Sequence, residues 1–365
     1  MNSEFDIAIV GAGMAGASLA AEIGSAARLV LLEAEDMPGY HATGRSAAFW
    51  EECYGGPEIV PLTLASGPYL QEHRFLRERG ALYLARAQDE ARIATFYEDF
   101  GGTGAQFDRV DRSELDRIVP GLRGEWDRAI RQQRCADIDV AALHAHYLAR
   151  AKASGAELVC RAPVVRIERM QGRWLLTIAD GRGFLATTLV NASGAWADGI
   201  AQLAGLRPLG ITPLRRTVVQ LRTDPPPPAA LPLCLDISGT FYFKPENGRL
   251  WLSPHDETPS APLDAAPDEM DVALAIARFE EATDWRVLAV ERKWAGLRSF
   301  APDRLPVYGR DSACPDFFWF AGQGGYGIQT APAAARLGAQ LLLDLSADEM
   351  TCGIDRMAYS PSRFG

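Results

Sequence analysis

The sequence predicts an α/β protein in which a domain founded on a βαβ unit is interleaved with a second, mainly antiparallel β (α+β) domain. Three observations carry this. The first 33 residues read strand, Ala-rich helix, strand. Buried strands followed by glycine turns return near residues 187 and 317, as if the chain re-enters the first domain. Between 206 and 297, proline-rich stretches exclude sheet interiors and leave short strands with exposed connections.

Taken in order, residues 5–10 (Phe-Asp-Ile-Ala-Ile-Val) form a short buried strand, 14–27 a helix and 28–33 a second strand. Residues 38–56 are glycine-rich without periodicity and too long for a simple connector, and a mostly helical pattern follows from 59 to 80. Residues 81–85 read as a strand, charged helical stretches run on to Arg134, and 139–154 is helical. Strands are expected at 157–161, 164–169, 174–178 and 187–194, then at 239–244 and 249–253. The runs 224–228 and 254–271 are exposed connections. A buried strand at 317–322, a glycine turn and a helix from Ile328 to Leu345 close the first domain. Residues 1–80, 136–205 and 299–365 are thus assigned to a discontinuous nucleotide-binding domain, and 81–135 and 206–298 to a substrate-binding domain.

Composition narrows the function. Lys and Arg total 37 against 47 Asp and Glu, a net charge of −10, which gives no basic footprint for nucleic acid or an anionic membrane and favours small-molecule chemistry. The six cysteines are scattered without a Cys-x-x-Cys pair, so no metal site or disulfide framework is expected and a reducing cytoplasm fits. The longest uncharged stretch, 7–21, is too short and too glycine-broken to span a membrane, and no export signal precedes residue 5.

Gly11-Ala-Gly13-Met-Ala-Gly16 matches G-x-G-x-x-G, a pattern that this glycine content produces by chance about 0.3 times per chain. Its context is more specific. A strand ends at Val10, a helix begins at once, and Glu33 closes the next strand where a ribose-binding carboxylate belongs. Gly11 permits the tight turn, Gly13 lets the backbone approach a pyrophosphate, and Gly16 lets the helix pack on the strand. NAD and FAD share this fingerprint. Three further small-residue segments, Gly44-Arg-Ser-Ala-Ala48, Thr187–Gly194 and Gly322-Gln-Gly-Gly-Tyr-Gly327, suit the longer body of FAD.

Together with 38–48, 191–196, Phe241-Tyr-Phe-Lys-Pro245, Trp294-Ala-Gly-Leu-Arg-Ser-Phe300 and 322–330, these blocks resemble the D-amino-acid-oxidase-type flavoproteins, whose FAD domain is glutathione-reductase-like. The resemblance covers nearly the whole chain and looks closest to the bacterial D-arginine dehydrogenase branch. It implies non-covalent FAD held by Gly11, Gly13, Ala15, Gly16, Glu33, Gly44, Arg45, Ser46, Ala47, Ala48, Val165, Ala192, Gly194 and Trp196. Gly322, Gly324, Gly325, Tyr326, Gly327, Ile328 and Gln329 complete that set, and the helix from Ile328 would aim its positive end at the flavin. The monomeric sarcosine oxidase relatives attach flavin through a cysteine near the arginine motif, whereas this chain has none between Cys234 and Cys314. His41, in the flavin-proximal loop, is the one histidine to check for attachment.

The same resemblance implies that Arg298 pairs with a substrate carboxylate, supported by Tyr242 and covered by Tyr54, with Phe49, Gln329, Gly325 and Arg216 also lining the substrate. Two departures from the D-arginine dehydrogenase pattern stand out. Phe49 replaces a histidine, and Gly80–Tyr83 lacks the acid that would receive a cationic side chain. Phe49, Trp50 and Leu82 therefore point to a neutral or apolar side chain. Glu51 and Glu52 are expected to be solvated, though either could replace the missing carboxylate. The implied reaction is oxidative deamination of a D-amino acid, with oxygen or a quinone as electron acceptor. Alternatives are oxidation of an N-methyl or secondary amino acid or of a 2-hydroxy acid, and a protein that binds FAD without turnover.

Overall fold

A computed structural model describes residues 3–365. The first strand, β1 (Ser3–Val10), is buried on both faces from Ile7 onward, as the uninterrupted apolar run requires of a central parallel strand. Helix α1 (Met14–Ile23) follows, then a short 3₁₀ turn and β2 (Leu29–Leu32), which lies parallel to β1 with Val10 opposite Leu32. On the other side of β1 the strand Gly183–Asn191 runs parallel, with Asn191 opposite Val10, and Phe317–Ala321 runs parallel beyond it. The carboxyl ends of these strands therefore open together, the place where such sheets bind dinucleotides. Glu157–Val159, Val164–Met170, Arg173–Ile178 and Val307–Arg310 complete an eight-stranded sheet. Helix α1 packs between Val140–Ala153 and Ala331–Leu342, and its alanines allow the close approach.

The second sheet has ten strands. Its spine is the antiparallel pair Thr212–Asp224 and Arg286–Phe300, with Leu214 opposite Arg298 and Arg216 opposite Gly296. Alternation then places Arg216 and Arg298 on one face. Arg249–Ser253, Tyr242–Glu246, Leu233–Asp236, Ala81–Ala85, Arg128–Gln132 and Asp108–Asp111 follow in spatial order, while Gln323–Gly324 pairs with Ser299–Phe300 at the opposite edge. That edge pairing brings the last glycine turn against Arg298. A three-stranded sheet of Phe49–Trp50, Ala136–Ile138 and Leu76–Glu78 bridges the two.

Several local expectations change. The helical pattern of 59–80 is helix only over Val60–Glu72; Arg74 takes a positive φ, and Leu76–Glu78 leaves as a strand to pair with Ala136–Ile138. The last helix begins at Ala331 rather than Ile328, with a proline in its first turn. Strands at Asp108–Asp111 and Arg128–Gln132 lie within the stretch expected to be helical. The boundary expected at 298 falls inside the strand ending at Phe300, because its ladder with Thr212 continues to that residue. No helix among the described residues is long and apolar enough to cross a membrane.

Candidate active site

A cavity of about 410 Å³ runs from the first glycine loop to the concave face of the ten-stranded sheet. At one end Gly11, at φ +98°, turns the chain so tightly that a Cβ there would lie 2.5 Å from the Ala192 carbonyl oxygen. Gly13 precedes α1 without a side-chain cap, so the helix meets the cavity with free backbone N–H groups; Met14 N–H alone is taken, by Thr43 Oγ1 at 2.9 Å. Glu33, at the end of β2, is buried and accepts from Ala12 N–H at 2.9 Å and Glu35 N–H at 3.1 Å while facing the cavity. A glycine cradle, an open helix N-terminus and a carboxylate at the next strand end fit a dinucleotide such as FAD.

Along the cavity, Ala15, Arg45, Ser46 and Ala47 line one side. Ala192, Gly194 and Trp196 line another, on a turn held by Asn191, whose Nδ2 donates to the Ala197 carbonyl at 2.7 Å. Arg45 crosses to the second sheet, donating to the Ala265 carbonyl at 3.0 Å and pairing with Asp264. His41 lines the cavity and hydrogen-bonds Glu35 at 2.9 Å.

At the far end the ten-stranded sheet presents Arg216, Tyr242 and Arg298, facing Gly324, Gly325, Gly327 and Ile328. A Cβ on Gly325 would lie 2.7 Å from Arg298 Nη1, so only glycine lets that guanidinium lie over the turn. Arg298 donates to the Tyr54 hydroxyl and, among the described residues, pairs with no carboxylate. Arg216 is buried, donates to Glu257 at 3.0 Å and keeps Nη1 without a partner. The buried Tyr242 hydroxyl also lacks a well-formed protein partner. Burial alone would raise the Tyr54 hydroxyl, but Arg298 and Arg216 outweigh it and hold it below its ordinary value. His255, edge-on to Tyr242, is pushed down to about 3 by burial and then by Arg216 and Arg298, so it stays neutral.

A second pocket of about 10 Å³, space for roughly one water, adjoins this end and is lined by Ala48, Phe49, Tyr54 and Gln329. Gln329 is wholly engaged in holding the chain: Nε2 donates to the Tyr54 carbonyl at 3.1 Å and Thr63 Oγ1 at 2.9 Å, and Oε1 accepts from Glu51 N–H.

Other expected residues lie elsewhere. Val165 is exposed at a bulge in its strand, and Ala162, Pro163 and Val164 line the cavity instead. Gly16 lies in the first turn of α1, on its buried side, where a Cβ would strike the Gly11 carbonyl. Gly44 closes a turn onto Gly39, and Gly322 turns at φ +72° against Ile211 and Val307. Tyr326 faces away, giving its hydroxyl to the Arg304 carbonyl and packing on Phe300. Of the three apolar residues expected around a side chain, only Phe49 reaches a pocket; Trp50 binds the Thr63 carbonyl and Leu82 belongs to the core on the opposite face of its strand. Glu51 and Glu52 are buried rather than solvated, and neither lines a pocket. The sequence reading missed Thr43, His144, which hydrogen-bonds the Ala12 carbonyl at 2.8 Å, and Glu257, the partner of Arg216. None of these carried a local signal, since each partner lies far along the chain: Thr43 meets Met14, His144 meets Ala12 and Glu257 meets Arg216.

A dinucleotide cleft whose far end is an arginine-bearing antiparallel sheet defines a flavoprotein oxidoreductase architecture. The chain belongs to the family described as FAD dependent oxidoreductase (DAO), which matches residues 6–341. It is 25% identical over 416 residues to hydrogen cyanide synthase subunit HcnC of Pseudomonas aeruginosa, covering 100% of this chain and 97% of that one. It is 26% identical over 371 residues to glycine oxidase of Geobacillus kaustophilus, covering 94% of each. The crystal structure of that glycine oxidase superposes with a TM-score of 0.84 at 24% identity over 99% of both chains. L-proline dehydrogenase from P. horikoshii gives 0.85 at 21% identity, over 100% of this chain and 98% of that one.

Proposed function

We propose that this enzyme oxidises the Cα–N bond of a small amino acid with a neutral side chain, yielding an imino acid that water hydrolyses to a 2-oxo acid and ammonia. The observation that carries this is Arg298, a half-buried guanidinium that among the described residues has no carboxylate partner, set on the sheet face with the Tyr54 hydroxyl and the spare donors of Tyr242 and Arg216. A cation shielded from solvent without a counter-ion is costly, and a substrate carboxylate in a two-pronged pair would supply one. A short, uncharged side chain is supported by the small pocket beside Phe49 and Arg298, about 10 Å³, which has no charged group besides Arg298. Arginine, the substrate suggested by the D-arginine dehydrogenase resemblance, does not suit it. Glycine oxidase among the relatives supports the short substrate, and mouse dimethylglycine dehydrogenase, 26% identical over 69% of this chain and 30% of its own, supports N-methylated amino acids as the second reading.

FAD, held non-covalently by the glycine loop, Glu33 and the 192–196 turn, would accept the hydride from Cα. The chain's own contribution is orientation. Arg298 and Tyr242 fix the carboxylate, Tyr54 and Phe49 wall the substrate from one side, and the backbone of Gly325, in the turn facing Arg298, would accept from the amine. The amine must be neutral to release a hydride, and its proton leaves to solvent. The rate is therefore expected to rise with pH through the amine's apparent pKa.

Anaerobic titration of the flavin-loaded enzyme with glycine, D-alanine, L-alanine, sarcosine and lactate tests the reading. Bleaching of the flavin band by glycine or D-alanine supports it, and bleaching by sarcosine alone moves it to secondary amines. A band that only lactate bleaches, or that none does, overturns it.

A further inference from the structure

Behind the aromatic wall lies a carboxyl that this chemistry does not use. Glu51 opens the turn that carries Tyr54, and it is fully buried. Its N–H donates to Gln329 Oε1 at 3.3 Å, its carbonyl accepts from Tyr54 N–H at 3.3 Å, and one carboxyl oxygen accepts from the Tyr83 hydroxyl at 2.8 Å. The other carboxyl oxygen has no well-formed partner. Gln329 in turn holds the Tyr54 carbonyl and Thr63. Three separate elements, the glycine turn with Gln329, the helix Val60–Glu72 with Thr63 and the strand Ala81–Ala85 with Tyr83, thus converge on the turn that carries Glu51 and Tyr54, and Tyr54 meets Arg298.

We propose that Glu51, held neutral against Tyr83, is a positioning residue that sets Tyr54 on Arg298, so that carboxylate affinity falls when Glu51 loses its proton. The proposal rests on the reading of Arg298 and Tyr54 as the carboxylate receptor. A buried carboxyl with a single good partner is far less costly protonated than charged. Burial pushes it up to about 7, against the Tyr83 hydroxyl and the Cys53 and Tyr54 N–H groups, which draw it down. Of the groups facing it, Tyr83, Cys53 and Cys135 are all raised by burial and keep their protons there; Glu52 pairs with Arg134 at 2.9 Å and accepts from Gln106 N–H at 2.7 Å. Once ionised, Glu51 places a negative charge next to Glu52 in the turn whose backbone carries Tyr54, the tyrosine that meets an anionic ligand.

Acetate, which carries no amine and does not titrate above pH 6, separates this effect from amine deprotonation. Its affinity for the flavin-loaded enzyme can be read from the flavin difference spectrum between pH 6 and 8.5. The wild-type affinity is expected to fall about tenfold across that range, the change produced by one pKa unit of coupling, with a midpoint near 7. Glu51→Gln should bind acetate as the wild type does at pH 6 and show no inflection. Tyr83→Phe, which removes the donor, should move the midpoint upward. A flat wild-type profile, an inflection that survives in Glu51→Gln, or a Glu51→Gln affinity reduced equally at every pH overturns the positioning role while leaving the receptor reading intact. Failure of acetate to bind at any pH overturns both.

Discussion

Arg298 owes its chemistry to what the fold withholds from it. Arg216, on the same sheet face, has Glu257, and the exposed Arg304 shares that carboxylate, but Arg298 has only a tyrosine hydroxyl. Arg298→Lys keeps the charge and loses the fork, so carboxylate affinity is expected to weaken by about 1.5–3 kcal/mol, roughly 10- to 150-fold, with flavin content unchanged; KM and the acetate dissociation constant check this. Arg298 was legible because its flanking residues are contiguous in the strand. Glu51 was misread because its partners are not: Gln329 lies 278 residues away, and a pair of acids on a loop carries no sign that folding will bury it. Val165 failed for a related reason, since a bulge exchanges which residue of a strand faces inward and leaves no mark on the local pattern.

Elements join the two sheets through contacts no single segment announces. The loop after Arg249–Ser253 returns over the cavity, where Leu263 and Ala265 line it and Asp264 takes hydrogen bonds from Arg45 and from the Tyr40 hydroxyl. Trp294 Nε1 holds the Arg45 carbonyl at 2.9 Å from the other side. This crossing lies over the cofactor cavity, so Asp264→Ala is expected to speed FAD release. Asp264 is exposed, and the pair is worth about 0.2–1 kcal/mol, which corresponds to roughly 1.4- to fivefold; flavin fluorescence after dilution measures it, and added salt should accelerate release in the wild type but not in the variant. Gly11→Ala is a harsher change. The new Cβ would press on the Ala192 carbonyl at a φ that L-residues rarely adopt, and purified protein is expected to carry little flavin, read from the ratio of absorbance at 450 nm to that at 280 nm. The βαβ unit was readable because it is local. The strands at 108–111 and 128–132 were not, because partners from other elements satisfy their charges: Arg131 meets Asp108 across the sheet and Glu114 on the helix Arg112–Ile118, and Arg109 meets Glu90.

At the scale of the whole molecule, one buried ionic cluster ties the three-stranded bridge to the substrate sheet. Asp137, on Ala136–Ile138, accepts from Lys244 at 2.7 Å and pairs with Arg79 at 2.5 Å, all three well shielded from solvent. Lys244→Met leaves Asp137 with Arg79 and the exposed Arg77, so the loss is expected near the lower end for a broken buried pair, about 3 kcal/mol, measured by urea unfolding. Burial alone would raise the Asp137 carboxyl, but Lys244 and Arg79 outweigh it and hold it below the usual carboxylate range. Its stabilising contribution is therefore complete above that range and is lost as pH falls through the lowered value. Asp137→Asn should flatten this part of the acid-unfolding curve while lowering stability at pH 7.

The sequence by itself determined the features that depend on neighbours along the chain. A glycine fingerprint between a strand and a helix can be read as a dinucleotide site because tight turns, free N–H groups and the strand-end carboxylate are set by local geometry, and Arg298 and Tyr242 were readable from their contiguous blocks. Only the tertiary structure decided what surrounds them: that Arg216 faces the cavity with a spare donor, that Gln329 clamps the turn of Tyr54 while lining the small pocket, and that Glu51 is buried in that turn. Burial and unpaired hydrogen-bonding capacity are set by the packing of segments far apart in the chain, and they govern charge and pKa more strongly than residue identity does.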